Sequence, residues 1–259
     1  MCLILLAVGA HPDCPLVIAA NRDEYHGRPT APAAFWPDAP AVLAGRDLEA
    51  GGSWFGVTRG GRFAAVTNYR DLAAHRPGRG SRGELVRSFL TGDMTPADCL
   101  ARGGSDRHRY NDFNLLCGLL PGPLFWYSNR AAASQELPAG VHGLANHLLN
   151  TPWPKVTGGK AELAQLLAAP PADLAEALFA LLADRGLPPD RHLPRTGVGL
   201  ARERLLAPRF IVSPTYGTRS STILIVRQDG TVNFLERSFD PAGEPTGTVI
   251  YEFQSPATG

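Results

Sequence analysis

The sequence predicts an α+β fold of mainly antiparallel sheets with segregated helices, and three observations lead to it. Apolar runs of strand length, separated by turn residues, fill the first half and about the last forty residues. Two leucine-striped segments between them have helical spacing. The 259 residues, 44% of them hydrophobic, suit one domain spanning 1–259 with a large core.

Leu3 to Val8 and Leu16 to Asn21 read as a hairpin turned at His11 to Cys14. A second hairpin pairs Trp54 to Thr58 with Arg62 to Asn68 around Arg59-Gly60-Gly61, where glycine supplies positive φ. Asp71 to Ser81, rich in Arg, Pro and Gly, is an exposed loop. Ser81 is expected to cap a helix over Arg82 to Leu90, and Thr95-Pro96 to start another. Strands return at Phe113 to Leu120, Leu124 to Ser128 and Val141 to Asn146. Leu163, Leu166 and Leu167, then Leu174, Leu178, Leu181 and Leu182, mark two packed helices, the second ending at Asp184 to Pro189. Ser221 to Arg227, Thr231 to Phe239 and Thr248 to Phe253 form a meander turned by Asp229-Gly230. The first two strands are expected to be antiparallel neighbours in a two-sheet stack covered by helices.

Composition narrows the function. Lys plus Arg total 25 against 24 Asp plus Glu, so no long-range field gathers nucleic acid. The apolar run after Met1 ends at His11, short of the ~20 residues that span a bilayer, and it lacks a basic leader, so a cytoplasmic chain is expected. Cysteines 2, 14, 99 and 117 have neither metal-site spacing nor scaffold density, so no metal site and no disulfide framework is expected.

Cys2 is the first candidate for chemistry. Removal of Met1 would put a free α-amine, with a pKa near ~8, on the residue that carries the thiol. Base and nucleophile would then be tethered together. A small apolar residue at a strand edge is the plain alternative. Asn21-Arg22-Asp23-Glu24 ends the second strand, and the hairpin brings it beside Cys2. Arg22 can favour a thiolate and Asp23 can hold the amine; the pattern leaves open which one points inward. Asn68 and Asn146 each close an apolar run and offer an amide N–H to an oxyanion, or serve only as turn residues. Arg219, in Tyr216-Gly217-Thr218-Arg219-Ser220-Ser221-Thr222, can bind a carboxylate or phosphate, or pair with a surface acid.

Together, Met1-Cys2, Ala19 to Tyr25, Arg28-Pro29, Gly51 to Gly56, Thr67-Asn68-Tyr69, Leu148 to Lys155 and Tyr216 to Thr222 resemble the landmarks of the NRDE family, which includes the TANGO2 proteins. Glu236-Arg237 is a weaker match. The order of Cys2, Arg22 and Asp23, Asn68, Asn146 and Arg219 also resembles the cysteine N-terminal-nucleophile (Ntn) amidases. That likeness implies an αββα sandwich and an acyl-cysteine route for cleaving an amide or thioester. In it Cys2 is nucleophile and base, Asp23 the amine's partner, Asn68 and Asn146 oxyanion or orienting groups, and Arg219 a late electrostatic support. The pattern departs at one place: Arg precedes Asp by three positions in the amidases, whereas Ala20 stands there here. The amidase reading requires no cofactor. The family resemblance carries an alternative, a non-enzymatic carrier of haem or of acyl-CoA and other lipids. Cys2, His11, His26, His142 and His147 are then the candidate axial ligands, and the basic loop of Arg76, Arg79 and Arg82 could meet acyl-CoA phosphates. Oligomeric state is not legible.

Overall fold

The computed structural model describes residues 2–170 and 172–255. The Met1 on which the processing expectation turns lies outside them. Two antiparallel sheets are stacked face to face, with helices on both outer faces.

The first sheet holds β1 (Cys2–Val8), β2 (Leu16–Tyr25), β10 (Gly140–Leu144), β11 (Tyr216–Val226), β12 (Thr231–Phe239) and β13 (Pro245–Gln254), in the order β10-β1-β2-β11-β12-β13. The second runs β3 to β9 in sequence: β3 (Thr30–Trp36), β4 (Ala39–Asp47), β5 (Phe55–Thr58), β6 (Arg62–Asn68), β7 (Phe113–Leu119), β8 (Leu124–Ser128) and β9 (Gln135–Glu136). Strand alternation divides the core into three. Ile4, Leu6, Ile18, Leu224 and Phe234 face Leu43, Phe55, Phe63 and Leu116 between the sheets. Leu3, Leu5, Val17, Ala19 and Ile223 point the other way, onto α3 (Pro154–Ala168) and α4 (Leu174–Leu182). Val42, Ala64, Leu115 and Cys117 of the second sheet pack on α1 (Gly83–Thr91) and α2 (Pro96–Ser105). This is the expected αββα layering, with β1 and β2 antiparallel neighbours. No helix among the described residues is long and apolar enough to cross a membrane.

Several boundaries differ from expectation for identifiable reasons. β2 continues through Asn21-Arg22-Asp23-Glu24 to Tyr25, because β1 pairs it on one side and β11 on the other. The polar motif is therefore part of a central strand. β11 correspondingly starts at Tyr216, five residues before Ser221. β3 and β4 were hidden by Pro29, Pro32, Pro37 and Pro40; β3 is an edge strand with register shifts, where proline costs no ladder bond. Ser81 is not a side-chain cap: Arg82 occupies that position with no capping side chain. Thr95 does cap α2, in a reciprocal box with Asp98. β10 ends at Leu144, leaving Asn146 beyond the strand, and α5 (Leu200–Leu205) was unforeseen. Gly61 and Gly230 have φ of 80° and 83°, as their hairpin turns require.

Candidate active site

Strand register decides which neighbours Cys2 has. Cys2 stands directly opposite Arg22, with Ile4 opposite Ala20, so Cys2 and Arg22 share the face that looks between the sheets. Asp23 faces the helices. It lies one residue past the Cys2–Arg22 pair, flanking the end of β1 where the chain begins.

Arg22 is only 5% exposed. Its guanidinium stacks on Trp54, 4.1 Å from the ring centroid, and donates to the Thr30 hydroxyl at 3.1 Å. No carboxylate lies within 4 Å of it among the described residues. The Asp23 carboxylate accepts from Thr218 Oγ1 at 2.8 Å, and its backbone carbonyl accepts from the Tyr216 hydroxyl at 2.9 Å. Burial raises the Asp23 pKa; Lys155 is the foremost of the groups that oppose the rise. Lys155 is itself buried and donates to the Leu206 carbonyl at 3.0 Å. Desolvation lowers its pKa from 10.5 to about 8. Arg70 and Glu203, paired at 2.8 Å and almost wholly buried, extend this charged layer behind the strand.

A cleft of about 580 Å³ opens at these strand ends, and Cys2, Arg22, Asp23 and Asn68 all line it. The Asn68 side chain makes no hydrogen bond to protein among the described residues. Asn146 stands behind it: its amide donates to the Asn68 carbonyl at 2.9 Å, while its buried Oδ1 has no partner. Asn146 therefore orients Asn68 and does not itself line the cleft. Arg219 is not at the cleft either. It sits in a bulge between Thr218 and Ser220, and one of its nitrogens donates to the carbonyls of Tyr25, His26 and Arg28. That geometry fixes the turn after β2. Asn21 likewise works structurally, donating to the carbonyls of Leu182 and Arg209 and accepting from Ser221.

Arg22 favours the Cys2 thiolate in direction, as expected, but it is not the largest influence on the thiol. Burial pushes the thiol above its usual 9.0, and Asp23 adds to the rise, against the opposing pull of the terminal ammonium and, after it, of Arg22.

The candidate axial histidines differ in how far their ring nitrogens are engaged, and Nδ1 of His26 is buried with no hydrogen-bond partner among the described residues. Both ring nitrogens of His142 and of His147 are hydrogen-bonded, Nε2 of His26 is engaged by the Ser213 carbonyl, and Nδ1 of His11 accepts from the Asp13 amide. Among the described residues no group of three or more His, Cys, Asp or Glu is arranged to hold a metal.

Residues 1–241 match the family model described as Transport and Golgi organisation 2. The chain belongs to the TANGO2 family. Similar relatives include the Transport and Golgi organization protein 2 homologs of Bos taurus, 37% identical over 98% of this chain and 100% of that protein, and of Homo sapiens, 36% identical over 98% and 99%. The Drosophila melanogaster Transport and Golgi organization protein 2 is 27% identical over 96% and 97%. Similar solved structures include a Caenorhabditis elegans N-acylethanolamine-hydrolyzing acid amidase ortholog (12% identity, TM-score 0.45, covering 86% of this chain and 92% of that one). Another is the penicillin V acylase from Agrobacterium tumefaciens (10%, 0.45, 97% and 86%). Similarities of that size leave the function of this TANGO2 family member to be argued from its own residues.

Some of those residues escaped the sequence reading. Trp54 and Lys155 stand inside quoted landmarks, yet nothing local signalled that one would stack on Arg22 and the other lie behind Asp23. Glu236, 2% exposed, accepts from the Ala33 amide at 2.6 Å and is held above the usual carboxylate range by burial. Its signal was a charged residue on the inward parity of an apolar strand.

Proposed function

We propose that this protein is a cysteine acyl-transfer enzyme of the N-terminal-nucleophile type, cleaving or transferring the acyl group of an amide or thioester. The observation that carries the reading is the convergence of Cys2, Arg22, Asp23 and Asn68, from three strands, on one cleft.

In the reaction, Met1 is first removed. The α-amine of Cys2 takes the thiol proton, and Sγ attacks the acyl carbon. A C–S bond forms as the carbonyl π pair moves onto oxygen. The Asn68 amide stabilises that oxyanion while Asn146 holds the Asn68 backbone. Asp23 orients the ammonium, which passes its proton to the departing amine or thiolate as the bond to the leaving group breaks. Water or an acceptor nucleophile then releases the acyl group from Cys2. Arg22 lowers the cost of the transient thiolate, offsetting part of the burial that holds the resting thiol neutral.

Intact-mass measurement of Met-free protein incubated with acyl amides and acyl thioesters tests this. The expected product is a single acyl adduct on Cys2, absent from Cys2→Ala and from protein retaining Met1. Iodoacetamide should label Cys2 of the Met-free form ahead of buried Cys14, Cys99 and Cys117. If no adduct forms, and Cys2 labels no faster than the other three, the carrier reading replaces the enzyme.

A further inference from the structure

Two thiols are buried together where α2 covers the second sheet. Cys99 is 4% and Cys117 0% exposed, and neither lines the Cys2 cleft. The backbone sets them opposite each other. Gly103 of α2 lies against Leu115 and Tyr127: a Cβ there would meet the Tyr127 ring at 3.2 Å and Leu115 Cδ2 at 4.0 Å. Cys99 stands one helical turn before Gly103, ~6 Å along the axis, and Cys117 stands two residues past Leu115 on the same face of β7, ~7 Å along the strand. The two matched steps set Cys99 over Cys117, and the Cys117 thiol donates a hydrogen bond to the Cys99 sulfur.

Arg62 adds charge to this pair. It precedes Ala64, the residue opposite Cys117, by two positions on β6. Its Nε donates to the Phe89 carbonyl at 2.7 Å, another of its nitrogens donates to the Met94 carbonyl, and the guanidinium lies 4.1 Å from the Phe89 ring centroid. The hydrogen bond from Cys117 lowers the Cys99 pKa, with Arg62 and Arg102 assisting against burial, while the same bond and burial raise that of Cys117. One thiol is thus activated and the other holds its proton. α2 is also lightly held. Only Cys99 and Gly103 of its ten residues are buried, and Gly103-Gly104 weaken it from within. A helix anchored so thinly opens locally at low cost, which gives a small oxidant its route to the sulfurs.

We propose that Cys99 and Cys117 form a peroxide-sensitive dithiol site, whose oxidation to a disulfide ties α2 to β7. Cys99 Sγ attacks one oxygen of a hydroperoxide; the O–O bond breaks, and the departing hydroxide leaves as water with the proton released by Cys99. Cys117 Sγ then attacks the sulfenic sulfur of Cys99. The S–S bond forms, the S–O bond breaks, and hydroxide leaves with the Cys117 proton as a second water. Together the two sulfurs lose the two electrons that the peroxide gains. Closure from hydrogen-bond to bonding distance needs an approach of about 2 Å. The site stands apart from the acyl-transfer reading.

Full-length protein treated with hydrogen peroxide, quenched with N-ethylmaleimide in urea and mapped by mass spectrometry without reduction gives the test. One cross-link should appear, joining the Cys99 and Cys117 peptides, and dithiothreitol should remove it. Cys117→Ser, left without a resolving thiol, should carry sulfinic or sulfonic acid on Cys99 in its place. Amide exchange across Pro96–Ser105 should slow roughly tenfold or more in the cross-linked protein and recover on reduction. Oxidation confined to Cys2, or a cross-link made through Cys2 or Cys14, overturns the site. Exchange across α2 that the cross-link leaves unchanged overturns the tether. The map of the unsubstituted protein decides the site even where the serine variant fails to fold.

Discussion

Lys155 offers a measurable consequence of the charge buried behind the strand ends. Its pKa falls from 10.5 to about 8 because its ammonium is desolvated, with a backbone carbonyl as its hydrogen-bond acceptor. A base whose folded pKa is depressed binds fewer protons folded than unfolded between those two values, so stability rises with pH across that window. A shift from 10.5 to about 8 corresponds to ~3 kcal/mol, a cost present below pH 8 and gone above the unfolded value. The perturbation is Lys155→Met, which removes the titrating group and keeps a long apolar stem. Urea unfolding of both proteins between about pH 7 and pH 11 gives the assay. The stability difference, native minus variant, should rise by ~3 kcal/mol over that range, mostly between pH 8 and 10.5. Cys2 and Tyr216, whose raised values make stability fall at alkaline pH, act in both proteins and largely cancel. A difference flat to within ~0.5 kcal/mol would refute the reasoning.

Asn21→Ala should destabilise by ~3 kcal/mol in urea melts, since it leaves two buried carbonyls and the Ser221 hydroxyl without their partner. Asn21→Asp should not rescue, because a carboxylate cannot donate to those carbonyls. Arg70→Met should cost ~3–5 kcal/mol by leaving Glu203 charged and buried, while Arg70→Met with Glu203→Leu recovers much of it; equal losses in the single and double variants would show that the charge is not what matters. Glu236 is a buried acid with a raised pKa, so the native protein keeps its proton above 4.5 and loses stability as pH climbs from there. Glu236→Gln should flatten that fall, measured as the change in melting temperature between pH 4 and pH 8.

The fold was legible wherever periodicity and turn chemistry agree. The β5–β6 hairpin, the β11–β12 turn and both leucine-striped helices carry their signal within ten residues. The β3–β4 pair does not. Its prolines are tolerated because β3 lies at a sheet edge, a fact of tertiary position that no local window contains. The end of β2 was misplaced for the same kind of reason. Asn21 to Glu24 look like a turn until β11, almost two hundred residues away, supplies Thr218, Ser221 and Tyr216 to satisfy them. Polar residues end strands when water must solvate them, and stay within strands when partners arrive from elsewhere.

The candidate site shows the same limit. Residue types after Cys2 suggested an arginine for the thiol and an acid for the amine, and the open question was whether Arg22 could serve with Ala20 in the expected arginine's place. Register shows where Arg22 stands. Ala20 and Arg22 share a face of β2, but Ala20 is opposite Ile4 and Arg22 opposite Cys2, so the guanidinium enters one pleat nearer the strand end. The small side chain at position 20 leaves a void of about 10 Å³, lined by Cys2, Ile4, Arg22 and Trp54. Trp54 covers Arg22 with its ring and so supplies, from the opposite sheet, the wall that orients the guanidinium. The stacking partner of Arg22 thus comes from more than thirty residues away in the chain. Reading the arginine's reach from the β2 sequence alone fails for this reason: the reach belongs to the gap between the sheets.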